Sequence, residues 1–228
     1  MSKDLIIFGA AEIADLAKFY FEADTDRKIV AFTVDDNFVQ EDSLGDLPVV
    51  PFSEVLERFP PSEFDMHVAV SYRKLNKLRE EKYHQAKKAG YALASFVCSK
   101  STTWMDISLG DNCFVLENQT IQPKVKIGNN VMIWSGNHLG HGCSIGDHTY
   151  IASQVVISGH CEIGERNFLG VNATLRDFCT VGNDCFISMG AVISQDMPDG
   201  AVALAGSAKI YEAADRRARV LKQKYFGK

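Results

Sequence analysis

The chain has 228 residues, 46% hydrophobic and 23% charged, enough for one large domain or two small ones with a substantial buried core. Its net charge of −5 leaves no basic surface for a nucleic-acid or anionic membrane partner. No apolar run approaches the roughly 20 residues of a bilayer span, and Met1-Ser2-Lys3-Asp4 opens no export signal. A cytoplasmic protein is expected.

Residues 1–98 alternate short apolar runs with helical stretches. Leu5 to Gly9 reads as a buried strand ending in glycine, and Glu12 to Phe21 then places Ile13, Leu16, Ala17 and Tyr20 at helical spacing. Lys28 to Val34 reads as a second strand closed by Asp35-Asp36-Asn37, and Val50-Pro51-Phe52-Ser53 introduces a short helix with Ser53 as N-cap. Phe64 to Val70 is a third strand, and Leu75 to Ala89 a charged helix stopped by Gly90. Strand and helix in alternation predict a small parallel βαβ sheet.

From residue 99 a period of six takes over. Stepping by six from Leu109 through Val115, Ile121, Ile127 and onward to Ile187 and Ile193, every position is Leu, Ile or Val. With those types at about a quarter of positions, chance gives such a run on the order of once in a billion. Glycine follows the aliphatic residue at 110, 128, 140, 146, 164, 170 and 182, which suits turns needing positive φ. Two residues before the aliphatic position the side chain is small or polar, and five of the six cysteines (Cys113, Cys143, Cys161, Cys179, Cys185) share that column. A common phase makes them small buried fillers of a repeated coil, kept reduced in a cytosolic setting, rather than a disulfide framework or metal cluster.

A hexad forms one short flat strand and three hexads one turn of a triangular prism. The expected domains are a βαβ unit over 1–98, a β-helix of about five 18-residue coils within 99–211, and a C-terminal helix over 212–228, in which the basic pattern Ala213 to Tyr225 is placed either to cap the last coil or to lie on a neighbouring subunit.

The βαβ unit with Asp35-Asp36, the hexads, the segment His141-Gly142-Cys143-Ser144-Ile145-Gly146 and the ending Ala205-Gly206-Ser207-Ala208-Lys209 resemble the bacterial sugar O-/N-acyltransferases of the NeuD and PglD type. The resemblance spans nearly the whole chain. It implies a left-handed parallel β-helix, a homotrimer with active sites shared between subunits, and transfer of an acetyl group from acetyl-CoA to the amino group of a nucleotide-linked amino-sugar. The alternatives are O-acetylation of a sialic-acid-like sugar, or a non-catalytic or metal-binding β-helix.

By that resemblance His141 is the general base, a task imidazole suits because it titrates near neutrality. The family's acidic residue after the histidine is here Gly142, which leaves open whether a neighbouring chain or a backbone carbonyl orients the ring. Asp177 is too remote to do so within one subunit. Gly9, Ala10, Asp35, Asp36 and Arg73 are implied contacts of the nucleotide-sugar, with His138 as a further substrate contact. Gly159, Gly170, Gly190 and Lys209 are implied contacts of CoA, Gly159 also standing as oxyanion donor near the thioester. No metal is expected: coil stacking joins residues 18 apart, and none of His138, His141, His148 and His160 is paired at that spacing. His148 and His160 are expected at solvated corners, and His84 at the surface of the charged helix.

Overall fold

The computed structural model describes residues 3–227. The N-terminal unit comprises β1 (Asp4–Phe8), α1 (Glu12–Asp24), β2 (Ile29–Val34), β3 (Ser43–Leu44), β4 (Leu47–Pro51), α2 (Phe52–Arg58), β5 (Phe64–Val68) and α3 (Lys77–Lys88). The sheet order is β3-β4-β2-β1-β5, parallel except for the β3–β4 hairpin. It is therefore a mixed sheet, richer than the sequence pattern predicts by two strands, β3 and β4, which form the hairpin. Pro48 and Pro51 obscure β4 in the sequence, because proline cannot donate to a ladder and a strand holding two of them does not read as one.

Two local expectations are corrected. The N-cap of α2 is Pro51, not Ser53; Ser53 lies inside the first turn and donates its N–H to the Asp36 carboxylate at 3.1 Å. The helix expected from Leu75 begins at Lys77, because Lys74, Leu75 and Asn76 all take the left-handed conformation, with φ of 55°, 51° and 64°. Such a run strains L-residues, and Asn76 is held in it by donating from Nδ2 to Asn167 O at 2.9 Å in the neighbouring unit.

The rest of the chain is a left-handed parallel β-helix. Every rung is a two-residue strand whose first side chain points out and whose second points in. The partners are 18 residues apart on all three faces: Lys126 with Ser144, Met132 with Tyr150, His138 with Val156. Inside, the aliphatic column and the cysteine column form one core, with Ile133, Leu139, Ile151, Ile157 and all five column cysteines at most 1% exposed. Burying each such aliphatic side chain is worth roughly 1.5–3 kcal/mol. The first rung is Phe96–Val97, which pairs with Phe114–Val115. The last is short: Phe186 pairs with Val202, only 16 residues on.

The column glycines are not the positive-φ residues. A Cβ on Gly110, Gly140 or Gly146 would lie 2.5 Å from backbone of the next coil, so glycine there answers close approach. The left-handed residue falls two positions later, at Asn112, Asn130, Gly142, His148, Arg166 and Asp184.

One prism face carries Phe96, Phe114, Met132, Tyr150, Phe168 and Phe186 outward. The N-terminal unit docks on it: Phe21 of α1 meets Phe96 and Phe114, and the Tyr20 hydroxyl donates to Glu117 at 2.6 Å. The helix α4 (Arg216–Phe226), capped by Asp215, is exposed except at Ala218. No described helix is long and apolar enough to cross a membrane.

Candidate active site

Two features of the fold can do chemistry, and they lie on different edges of the prism. The first is a cavity of about 700 Å³ at the carboxyl ends of β1 and β5, the point where the chain switches from one side of β1 to the other. Gly9, Ala10 and Arg73 line it, with Glu12 at the amino end of α1 and Trp134 and Tyr150 closing it from the β-helix. Gly9 has φ +135°, and a Cβ there would lie 2.7 Å from Ala69 O, so only glycine lets the β1 turn pass the β5 turn. Tyr72 packs edge-on against Tyr150 and Phe168 at 5.0 Å each, giving the wall an aromatic lining. The indole N–H of Trp134 is buried in that wall without an acceptor among the described residues.

Asp35 and Asp36 line a separate small cleft. Asp35 is paired with Lys82 at 2.8 Å, and the hydrogen bond from Ser53 holds the Asp36 carboxyl below its ordinary range. Both carboxylates are thus engaged within the fold.

The second feature is the corner between the face bearing His138 and the face bearing Ser144, where His141 leads the turn. The Oε1 of Gln122 accepts from the backbone N–H of His141 at 2.9 Å and meets its Nδ1 at 3.1 Å. A backbone N–H can only donate, so the amide oxygen faces His141 and Nδ1 must carry a hydrogen. The Nε2 lone pair is left free on an exposed edge. Sequence reasoning passed over Gln122 because the pair is 19 residues apart, one beyond the coil repeat.

The ring lies across Gly159: a Cβ there would sit 2.8 Å from Cε1 and 3.1 Å from Nε2. The Gly159 N–H is engaged by the Asp177 carboxylate at 2.8 Å. This corrects its assignment as an oxyanion donor, since a donor already paired with a carboxylate is not free for the intermediate. His160 packs edge-on against His141 at 4.8 Å and stacks on Phe178 at 4.9 Å. Gly142 has φ +69°, and a Cβ there would lie 2.8 Å from His160 Nδ1. His160 occupies the space an acidic side chain at 142 would need.

The remaining candidates are scattered. His138 is half-buried on the face between cavity and corner. Gly170 and Gly190 lie on the corner between the aromatic face and the His138 face, the edge opposite Gly159. Lys209 is exposed on the tail after the last rung. The column cysteines are closed off inside the coil: burial pushes the Cys113 thiol up to about 12 and raises Cys179 and Cys185, and Cys161, which the hydrogen bond with Cys143 shifts down, is 0% exposed.

His148 corrects a further expectation, being 4% exposed rather than solvated. Glu80, His84 and His148 bring possible ligand atoms within 4.8 Å of one another. A hydrogen-bond ladder decides what they do. Val68 N–H donates to Asn112 Oδ1 at 2.7 Å, Asn112 Nδ2 to Asn130 Oδ1 at 2.8 Å, and Asn130 Nδ2 to His148 Nδ1 at 2.8 Å. With Nδ1 accepting, Nε2 carries the hydrogen and points it at Glu80, 3.7 Å away, while Arg166 pairs with Glu80 at 3.3 Å. The group is built as a strut between α3 and the β-helix.

Comparison with known proteins agrees with this architecture. Residues 124–159 and 160–195 match the six-repeat model of the bacterial transferase hexapeptide. No curated protein matches the sequence. A histidine-to-asparagine variant of perosamine N-acetyltransferase from Caulobacter crescentus, solved with CoA and GDP-perosamine, is 24% identical with a TM-score of 0.80, over 92% of this chain and 97% of its own. The acetyltransferase domain of PglB from Neisseria gonorrhoeae is 24% identical with a TM-score of 0.78, over 92% of this chain and 100% of its own. WeeI from Acinetobacter baumannii is 18% identical with a TM-score of 0.76, over 91% and 99%. At these identities the likeness is one of fold, and it covers both the N-terminal unit and the β-helix.

Proposed function

We propose that this hexapeptide-repeat chain is an acetyltransferase that moves the acetyl group of acetyl-CoA onto the amino group of a nucleotide-linked amino-sugar. The observation that carries the reading is the free Nε2 of His141, presented on an exposed corner beside a glycine that makes room for the ring. Structures of the same fold hold CoA with GDP-perosamine, or acetyl coenzyme A, and the cavity beside Gly9 has the size of a nucleotide site.

In this reading the amine nitrogen attacks the thioester carbonyl carbon and forms the C–N bond while Nε2 of His141 takes the amine proton. Collapse of the tetrahedral adduct breaks the C–S bond, and the proton passes to the departing CoA thiolate. Direct attack fits a site whose column cysteines are buried inside the coil.

The cavity lies against the Trp134 and Tyr150 face, whereas His141 stands at the far edge of the adjoining face. One chain therefore does not bring the two together. The intervening face carries Val156 and Val192, 38% and 75% exposed, and a neighbouring copy laid on it in a homotrimer would bring one chain's His141 toward the next chain's cavity.

The test is release of CoA thiol from acetyl-CoA with a panel of GDP-, UDP- and dTDP-linked 4-amino-sugars. His141→Asn is expected to lower kcat by about 10²–10⁴-fold. Turnover at the wild-type rate in that variant would remove His141 from the reaction.

A further inference from the structure

We infer that Gln122 is the positioning residue that sets the tautomer of His141. The inference rests on the acetyl-transfer reading and deepens it. Gln122 sits on the coil before His141, half-buried, with its own N–H donated to Leu139 O at 3.0 Å. Its Oε1 takes both N–H groups that His141 can offer on that side. The backbone contact fixes which end of the amide faces the ring, and the amide in turn fixes which ring nitrogen holds the hydrogen.

A carboxylate in that place would orient the imidazole and also stabilise the imidazolium that forms on proton transfer. An amide supplies the orientation alone.

The residue normally supplying that charge has no room here, because His160 lies where a side chain on Gly142 would go. Gln122, one coil and one residue earlier, supplies the hydrogen-bond acceptor in its stead.

The experiment compares wild type with Gln122→Leu, Gln122→Glu and His141→Asn, using acetyl-CoA with the amino-sugar that the panel identifies. Imidazole ¹⁵N spectra of the same proteins report the tautomer without reference to turnover. Gln122→Leu is expected to lower kcat roughly tenfold or more, leave KM little changed and lose the single Nδ1–H signature of His141. Gln122→Glu is expected to restore kcat over the leucine variant and move the acid limb of the pH–rate profile to higher pH. Wild-type kcat with an unchanged ¹⁵N pattern in Gln122→Leu overturns the role of Gln122. Failure of His141→Asn to lose activity overturns the acetyl-transfer reading instead, and the ¹⁵N spectra then still decide whether Gln122 sets the tautomer.

Discussion

Asp177 fixes the backbone of Gly159 by accepting its N–H at 2.8 Å, and the ring of His141 rests on the hydrogen face of that same glycine. An added methyl would displace Cε1 or Nε2 rather than the pinned backbone. Gly159→Ala is therefore expected to lower kcat by up to about 100-fold, the scale of an ångström's misplacement of a reacting group. Steady-state kinetics beside an unchanged circular-dichroism spectrum check this, and a fully active variant would show that the ring position is not set here.

Gly9→Ala tests the other half of the site. Its Cβ would meet Ala69 O at 2.7 Å in a backbone conformation of φ +135°. The expected cost is about 1–3 kcal/mol of stability, read by urea denaturation. A raised KM for the nucleotide-sugar with KM for acetyl-CoA unaltered is the accompanying kinetic signature.

Two buried histidines make stability fall with acid. Burial pushes both His67 and His148 down to about 4, below the ordinary value near 6.5 kept in the unfolded chain. Between those two values the unfolded state binds the proton and the folded state does not, so stability is full above about pH 6.5 and lost as pH falls toward 4. Each histidine contributes a slope of about 1.4 kcal/mol per pH unit in that window. The structure shows where the proton would be unwelcome: His67 Nδ1 donates to Ala94 O, so a proton added at the buried Nε2 finds no acceptor among the described residues, and His148 Nδ1 is occupied by Asn130. Thermal melts from pH 7 to 4 should show the decline, and His148→Gln should reduce its slope by about half. An unchanged slope would mean His148 is reached by water.

The proposed shared site predicts that Val192→Asp, a substitution at an exposed position of the His138 face, dissociates the proposed homotrimer and abolishes turnover while leaving the fold intact. Light scattering on the eluted protein measures the mass. Active monomers would show that one chain suffices.

The β-helix was legible because its signal is spread over fifteen positions of one residue class at one spacing, and no competing architecture has that period. The same regularity hid the detail. Treating coils as strict 18-residue repeats excludes Gln122 with His141 and His141 with His160, both 19 apart, where the corner turn swings side chains onto the next coil. It also assigned the positive φ to the glycine column, although the left-handed residue is the one two places on. His148 was misread for another reason: its cover is Glu80 and the Arg166 pair, brought from α3 and the next coil by docking that no local pattern announces. Asp35 and Asp36 look alike in the sequence whether they bind a ligand or tie a loop, and only Lys82 and Ser53 distinguish the cases.

A stack of identical rungs has no intrinsic end, and an open rung is a template on which another chain can keep growing. The coil closing at Val202 is two residues short, and there Asp196 and Asp199 turn their carboxylates back to accept the N–H groups of Thr180 and Asn183 at 2.9 and 2.6 Å. The Asp196 carboxylate thus stands where, one coil earlier, the backbone carbonyl of Cys179 accepts from the Glu162 N–H, and a further rung would find both its geometry and its charge wrong there. Growth by rung addition stops at this coil, while the flat sides of the prism stay available for closed association.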